Sequence, residues 1–267
     1  MKNKISSKNL LSRRQFLDFC RKAVPTGLLL VTAGAGRAGG PGHSVADPAS
    51  AGGEGQGTLR PFGMAIDIRK CIGCGRCVNA CKIENNVPRE PLYFRTWVER
   101  YILPAEGEPK VDSPNGGLDG FPEIAESNSV LKSFFVPKLC NHCANPPCVQ
   151  VCPVGATFQS PDGVVLVDQK YCVGCRYCIQ ACPYGARYLH PEKLTADKCT
   201  FCYHRIKKDL LPACVEVCPT QARVFGEIGS HSSPLWRFIR ANATTILKAE
   251  LNTRPNVFYA GASSEVR

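Results

Sequence analysis

Residues 172–186 read CVGCRYCIQACPYGA. Four cysteines separated by two, two and three residues, with a proline directly after the last, form the run in which three thiolates grip one [4Fe-4S] cube and the fourth ligates a neighbouring cluster. Such a chain cannot carry one cluster alone. A neighbouring cluster must exist.

The neighbours are present. Cys71, Cys74, Cys77 and Cys81 repeat the spacing; Cys140, Cys143, Cys148 and Cys152 lengthen the middle gap around Asn145-Pro146-Pro147; Cys199, Cys202, Cys214 and Cys218 widen it to eleven residues. Sixteen of the seventeen cysteines thus fall into four quartets, and Cys20 stands alone near the N-terminus. With 24 glycines and 21 prolines in 267 residues, this points to loops stitched around cofactors, an α+β and loop-rich chain.

Each quartet carries what such a loop needs. Small residues permit a tight curl that turns backbone N–H groups toward sulfur: Gly73 and Gly75 flank Cys74, and Gly174 precedes Cys175. Pro153, Pro183 and Pro219 follow the fourth cysteine of three quartets, where a missing N–H and a fixed φ turn the chain away. The first quartet has Lys82 there, a departure that removes no ligand. His142 and His204 read as hydrogen-bond donors around a cluster or as surface residues, not as ligands.

Two other cysteine chemistries compete. A disulfide framework has no reason to repeat a two-two-three rhythm. Zinc fits locally, because Cys175-x2-Cys178 and Cys199-x2-Cys202 stand 20 residues apart, yet that choice leaves Cys172 and Cys182 without roles.

The N-terminal LSRRQFLDFCRKAVPTGLLLVTAGAG places the pair Arg13-Arg14 ahead of a short, mildly apolar segment, which reads as a twin-arginine export signal with Ala33-Gly34-Ala35 or Ser44-Val45-Ala46 as cleavage site. That exporter carries folded proteins, the route required when clusters are inserted before crossing. The net charge of +11 concentrates in this leader, where eight basic residues face Asp18 alone. Four cubes on sixteen thiolates would bring the mature chain to a small net negative charge, and no basic groove supports nucleic-acid binding. No stretch reaches the roughly 18 consecutive apolar residues of a membrane span.

An internal repeat organises the rest. GMAIDIRKC and GVVLVDQKYC each put a β-rich run before a quartet, with Asp67 and Asp168 four residues ahead of the first cysteine, so each module reads as strand, cluster loop, short helix. Between Cys81 and Cys140, YFRTWVERYIL reads as a strand pair in a packing insert.

RKCIGCGRCVNACKIENNVP, CNHCANPPCVQVCPVGATFQ, CVGCRYCIQACPYGA and ADKCTFCYHRIKKDLLPACVEVCPTQA together resemble the four-cluster iron–sulfur subunits of the polysulfide, thiosulfate and tetrathionate reductase family, related to those of dimethyl sulfoxide reductase and formate-dependent nitrite reduction. The resemblance covers about residues 61–228, and LKAELNTRPNVFYAG is similar to the family's tail. ENNVP and PPC lean toward the tetrathionate branch. The resemblance implies crossed pairing: Cys71, Cys74, Cys77 and Cys218 for cluster 1; Cys199, Cys202, Cys214 and Cys81 for cluster 2; Cys140, Cys143, Cys148 and Cys182 for cluster 3; Cys172, Cys175, Cys178 and Cys152 for cluster 4.

It also implies two interleaved ferredoxin-like modules of two [4Fe-4S] clusters each. Residues 61–90 with 191–228 form the outer module and 138–190 the inner, around an inserted β segment at 91–137. The signal and start of linker occupy 1–46, the linker 47–60 and an extended tail 229–267. With a cysteine assigned to every iron, the chain has no catalytic residue of its own. Its expected role is an electron wire on the periplasmic face of the cytoplasmic membrane. The implied partners are a multi-pass quinone-reactive membrane subunit and a molybdopterin catalytic subunit, or alternatively a multihaem cytochrome in a quinone-linked transmembrane complex of sulfur metabolism.

Overall fold

The computed structural model describes residues 61–90, 93–124, 130–263, 265 and 266. The twin arginine, Cys20, both cleavage sites and the linker lie outside the described residues.

An uninterrupted apolar run makes the first strand, β1 (Phe62–Asp67), whose Met64, Ala65 and Ile66 have no exposed surface at all. Covered on both faces, it tolerates a parallel neighbour. It lies parallel to β11 (Val257–Ala260) and antiparallel to β9 (Arg223–Glu227), and β10 (Thr244–Thr245) completes the order β10-β11-β1-β9. The strand before the first quartet is thereby joined to the strand after the last. The 229–267 segment supplies the other two strands, together with helix α6 (Pro234–Ala241), which buries Leu235 completely.

A second sheet has the order β3-β2-β4, with β2 at Thr96–Pro104, β3 at Lys110–Asp112 and β4 at Val130–Leu139. The stretch expected as a strand pair is here a single nine-residue strand, β2. Nothing between Thr96 and Leu103 is glycine, proline, asparagine or aspartate, so no residue there favours a reversal. Two short hairpins link the quartets. β5 (Thr157–Gln159) pairs with β6 (Val165–Val167) between the second and third, and β7 (Arg187–Leu189) pairs with β8 (Ala196–Lys198) between the third and fourth.

The prolines explain the helix lengths. α2 (Pro147–Gln150), α3 (Tyr177–Gln180) and α5 (Ala213–Glu216) have four residues each and stop two positions before a Cys-Pro pair, because a residue preceding proline avoids helical ψ. α1 (Arg76–Glu84) continues through Cys81 and Lys82 for nine residues. Lys82 is buried, donates to the carbonyls of Pro88 at 2.8 Å and Tyr93 at 2.6 Å, and lies over the Phe94 ring. A further turn of helix, α4 (Tyr203–Ile206), follows Cys202.

Met64, Ile66, Val257, Tyr259 and Phe225 of the first sheet share one core with Val98, Val136 and Leu139 of the second and with Phe201. A smaller core joins Cys148, Val165, Cys178 and Ala196. The described chain is thus mixed helix and sheet, with short elements between long loops. Among the described residues no helix is long and apolar enough to cross a membrane.

Candidate iron–sulfur sites

In every quartet the residue two places after the first cysteine has a left-handed backbone: Gly73 at φ 69°, His142 at 42°, Gly174 at 69° and Phe201 at 53°. A Cβ on Gly73 would fall 2.6 Å from the Phe135 ring, and one on Gly174 would fall 2.5 Å from the Leu194 carbonyl oxygen, so both positions require glycine. His142 and Phe201 are held in the same conformation by each other. Their rings stack with centroids 3.7 Å apart, and both are wholly buried.

His142 is therefore not a surface residue. Its Nδ1 accepts the Val165 N–H at 3.1 Å, and its carbonyl accepts Asn256 Nδ2 at 2.8 Å. Burial, reinforced by Lys198 and Arg187, holds the imidazole well below its ordinary titration range. The ring proton then sits on Nε2, which has no partner in the described structure and is an orphaned buried donor beside the Cys140–Cys143 loop. A buried donor without a protein acceptor fits an acceptor supplied by a bound group. His204, by contrast, is half exposed and pairs with Glu84 at 2.6 Å.

All sixteen cysteines of the quartets are free thiols. Cys71, Cys74, Cys77 and Cys218 line one cavity, together with Thr220 and Arg223. Burial pushes the Cys71 thiol up to about 11, with Cys77 and Cys218 among its charged neighbours. Cys81 lies near cysteines of the fourth quartet. Asn85 Nδ2 lies 3.6 Å from Cys81 Sγ and 3.5 Å from Cys202 Sγ, and burial followed by Cys199, Cys214 and Cys202 pushes the Cys81 thiol up. Cys143 is pushed up to about 12 by burial and by Cys140, Cys148 and Cys182.

Of the remaining ligands, Cys178 sits in the small core with Cys172 packed against it, and Cys175 is exposed. Cys172 Sγ accepts Ala196 N–H at 3.4 Å and Cys152 Sγ accepts Thr157 N–H at 3.4 Å. Burial opposes ionisation of Cys152 and Cys218, yet both thiols are lowered. Backbone N–H groups of Thr157, Val154 and Ala156 favour the ionised form of the first, and the Thr220 hydroxyl followed by the backbone N–H groups of Ala222, Arg223 and Thr220 favour that of the second. These are the turns that the Cys-Pro pairs begin. Among the described residues no three His, Cys, Asp or Glu side chains close on a point as ligands of a single metal ion would.

Several residues that shape the sites carry no cysteine spacing. Asn85 is fixed by Arg95 Nη1 at 2.9 Å, and Arg95 in turn grips the buried Asp197 at 2.7 and 3.0 Å. Lys198, fully buried, donates to the carbonyls of Val165 and, at 2.7 Å, Cys199. Arg187 and Arg223 are buried against Cys148 and Cys77. Burial works against both charges, but attraction to the surrounding cysteine sulfurs outweighs it and holds the guanidiniums more firmly protonated than usual. Only the arginines leave a sequence trace, the repeated CPYGAR and CPTQAR.

Comparison with known proteins agrees with this chemistry. One 4Fe-4S dicluster domain matches residues 70–156 and another matches residues 131–228. With sixteen free cysteines in four quartets, the cofactors are four [4Fe-4S] clusters. A tetrathionate reductase subunit of Salmonella typhimurium is 44% identical over 202 residues, covering 75% of this chain and 72% of the relative. A putative dimethyl sulfoxide reductase iron-sulfur subunit of Halobacterium salinarum is 39% identical over 215 residues, covering 74% and 78%. An Hdr-like menaquinol oxidoreductase iron-sulfur subunit of Archaeoglobus fulgidus is 34% identical over 248 residues, covering 77% and 85%. The chain therefore belongs to the family of ferredoxin-like, four-cluster iron–sulfur subunits that serves tetrathionate and dimethyl sulfoxide reductases, and is an electron-transfer subunit of an oxidoreductase complex.

Proposed function

We propose that the chain is a periplasmic relay between a multi-pass, quinone-reactive membrane subunit and a molybdopterin catalytic subunit that reduces a sulfur compound of the tetrathionate, thiosulfate or polysulfide type. The observation that carries this reading is the uneven exposure of the ligands. Cys74 and Cys175 are exposed, whereas Cys81, Cys199, Cys202 and Cys214 are all buried, as are Cys140, Cys143 and Cys148. Paired as the family pairs them, these cysteines make two terminal sites at the surface and two insulated sites between them. The bound clusters supply one-electron chemistry; the chain's part is to hold each iron by a thiolate, leave none open to substrate and keep water from the middle pair.

The crossed pairing takes support from the cavity shared by Cys71, Cys74, Cys77 and Cys218 and from Asn85 spanning Cys81 and Cys202. It makes residues 61–90 with 191–228 one module and 138–190 the other, the second interleaved within the first. Around Cys175 the exposed side chains of Tyr171, Val173, Tyr177 and Leu194 form an apolar rim suited to a docked partner. A relative named as a menaquinol oxidoreductase subunit favours, as second reading, the quinone-linked transmembrane complex.

Withdrawing the chain from the assembled reductase should abolish quinol-driven reduction of the sulfur compound while a viologen dye still drives the catalytic subunit. Surviving quinol-driven turnover would sink the relay. For the pairing, low-temperature EPR of a protein carrying Cys182→Ser with Cys140→Ser should show one centre lost; two lost centres mean local quartets. Replacing Arg13 and Arg14 by lysine should strand loaded protein in the cytoplasm, and unchanged delivery to the periplasm refutes the export reading.

A further inference from the structure

The strand that follows each quartet opens with threonine or arginine. Thr96 opens β2 after the first quartet and Thr157 opens β5 after the second; Arg187 opens β7 after the third and Arg223 opens β9 after the fourth. They meet in pairs. Arg223 Nη2 donates to Thr96 Oγ1 at 2.8 Å, and Arg187 Nη1 donates to Thr157 Oγ1 at 3.4 Å. The same guanidiniums reach sulfur, with Arg223 Nη2 at 3.4 Å from Cys77 Sγ and Arg187 Nη2 at 2.9 Å from Cys148 Sγ. Arg187 Nε has no partner in the described structure. Both arginines stand five places after a fourth cysteine, so the arrangement occurs twice.

Arg187 is 5% exposed and Arg223 3%. Neither makes an ion pair with a carboxylate among the described residues. A guanidinium does not shed its proton in a protein, and a buried charge without a counter-charge is strongly destabilising. The threonine hydroxyls are neutral and serve to fix the guanidinium planes. Beyond the burial penalty, the largest influences on Arg223 are Cys77, Cys214 and Cys71, and on Arg187 they are Cys148, Cys140, Cys178 and Cys182. The hydrogen bonds set each arginine against one ligand, Cys77 or Cys148, and its charge also interacts with a ligand of a second cluster, Cys214 for Arg223 and Cys178 for Arg187, whether the quartets pair locally or crosswise.

We propose that Arg223 and Arg187 are the fixed counter-charges of the cofactor array, each set between two clusters and raising the reduction potential of both. The inference rests on the four-cluster content and not on which partner the chain serves. A cluster that accepts one electron gains one negative charge, and a cation already in place within low-dielectric surroundings stabilises the reduced form more than the oxidised one. No proton need move, because the charge of arginine is constant.

The test is potentiometric EPR of the full, anaerobically purified chain, with dithionite as reductant. Arg223→Gln should lower the midpoints of two of the four centres by about tenfold in reduction equilibrium, roughly 59 mV for one electron, and leave the other two in place. Arg187→Gln should move the complementary two. Arg223→Lys and Arg187→Lys, which keep the charge, should return the midpoints to near-native values. Unmoved midpoints in the glutamine variants, or a shift confined to one centre, overturn the proposal. Where a glutamine variant fails to hold its iron, the lysine variant decides: native midpoints support the counter-charge, and shifted midpoints or lost iron refute it. A failed relay role would appear differently, as the expected shifts in a protein that supports no quinol-driven turnover.

Discussion

The glycine-hinged loops around Cys74 and Cys175 and the aromatic-hinged loops around Cys143 and Cys202 make the same left-handed turn in opposite surroundings. In the first pair Gly73 and Gly174 take the turn, and one cysteine of each loop is exposed. In the second, His142 and Phe201 take it, their rings stack in the core, and Cys140, Cys143, Cys199 and Cys202 are all buried. The difference follows from packing. At Gly73, itself buried, and at half-buried Gly174, neighbouring groups already fill the space, and the Phe135 ring and the Leu194 carbonyl stand too close for a Cβ. At the His142 and Phe201 turns no neighbour fills that space, so a bare turn would leave a void, and protein interiors are packed too densely to tolerate one. A ring fills it, and stacking offsets the strain of a positive φ on a non-glycine residue.

The largest break in this comparison should come from the interior. Phe201→Ala removes the partner of His142 and the edge contact with Phe225, and is expected to cost about 3–5 kcal/mol. Anaerobic denaturant unfolding followed by the visible cluster absorption measures it; a loss below about 1 kcal/mol would mean that the ring does not hold the loop. A smaller effect is expected at the half-buried glycine hinge. Gly174→Ala places a methyl group against the Leu194 carbonyl at φ 69° and should cost about 1–2 kcal/mol for the backbone alone. Smallest is Arg176→Gly. Arg176 holds φ 68°, where the first quartet has Gly75, and relief of strain should roughly balance the greater freedom of the unfolded chain, within about 1 kcal/mol of native. Equal midpoint shifts for Gly174→Ala and Arg176→Gly would show that the two left-handed positions of this loop are not distinguished by their neighbours.

The short helices are legible in the sequence because proline acts locally. Pro153, Pro183 and Pro219 end three of them two residues before the cysteine, and Lys82 lets α1 run on. The stretch from Tyr93 to Leu103 misleads for the opposite reason. Its alternating apolar and charged residues specify a strand, but whether a second strand lies within it or beyond it depends on the partners β3, which follows just after it, and β4, further along the chain. His142 is legible as a residue of the cluster loop and not as a stacking partner of Phe201, because the two are far apart along the chain and meet only when the second and fourth loops pack together.

The sequence by itself determined the cofactor chemistry, since thiolate spacing over a few residues dictates which sulfurs one loop can present, and that is a property of local geometry. It also determined the number of loops and the positions of their breakers. Only the tertiary structure decided which loops face solvent, that β11 of the C-terminal segment lies beside β1, and that two arginines reach buried thiols with a threonine as their neutral partner. Those are outcomes of long-range packing, where burial sets the cost of a charge and remote residues supply its compensation.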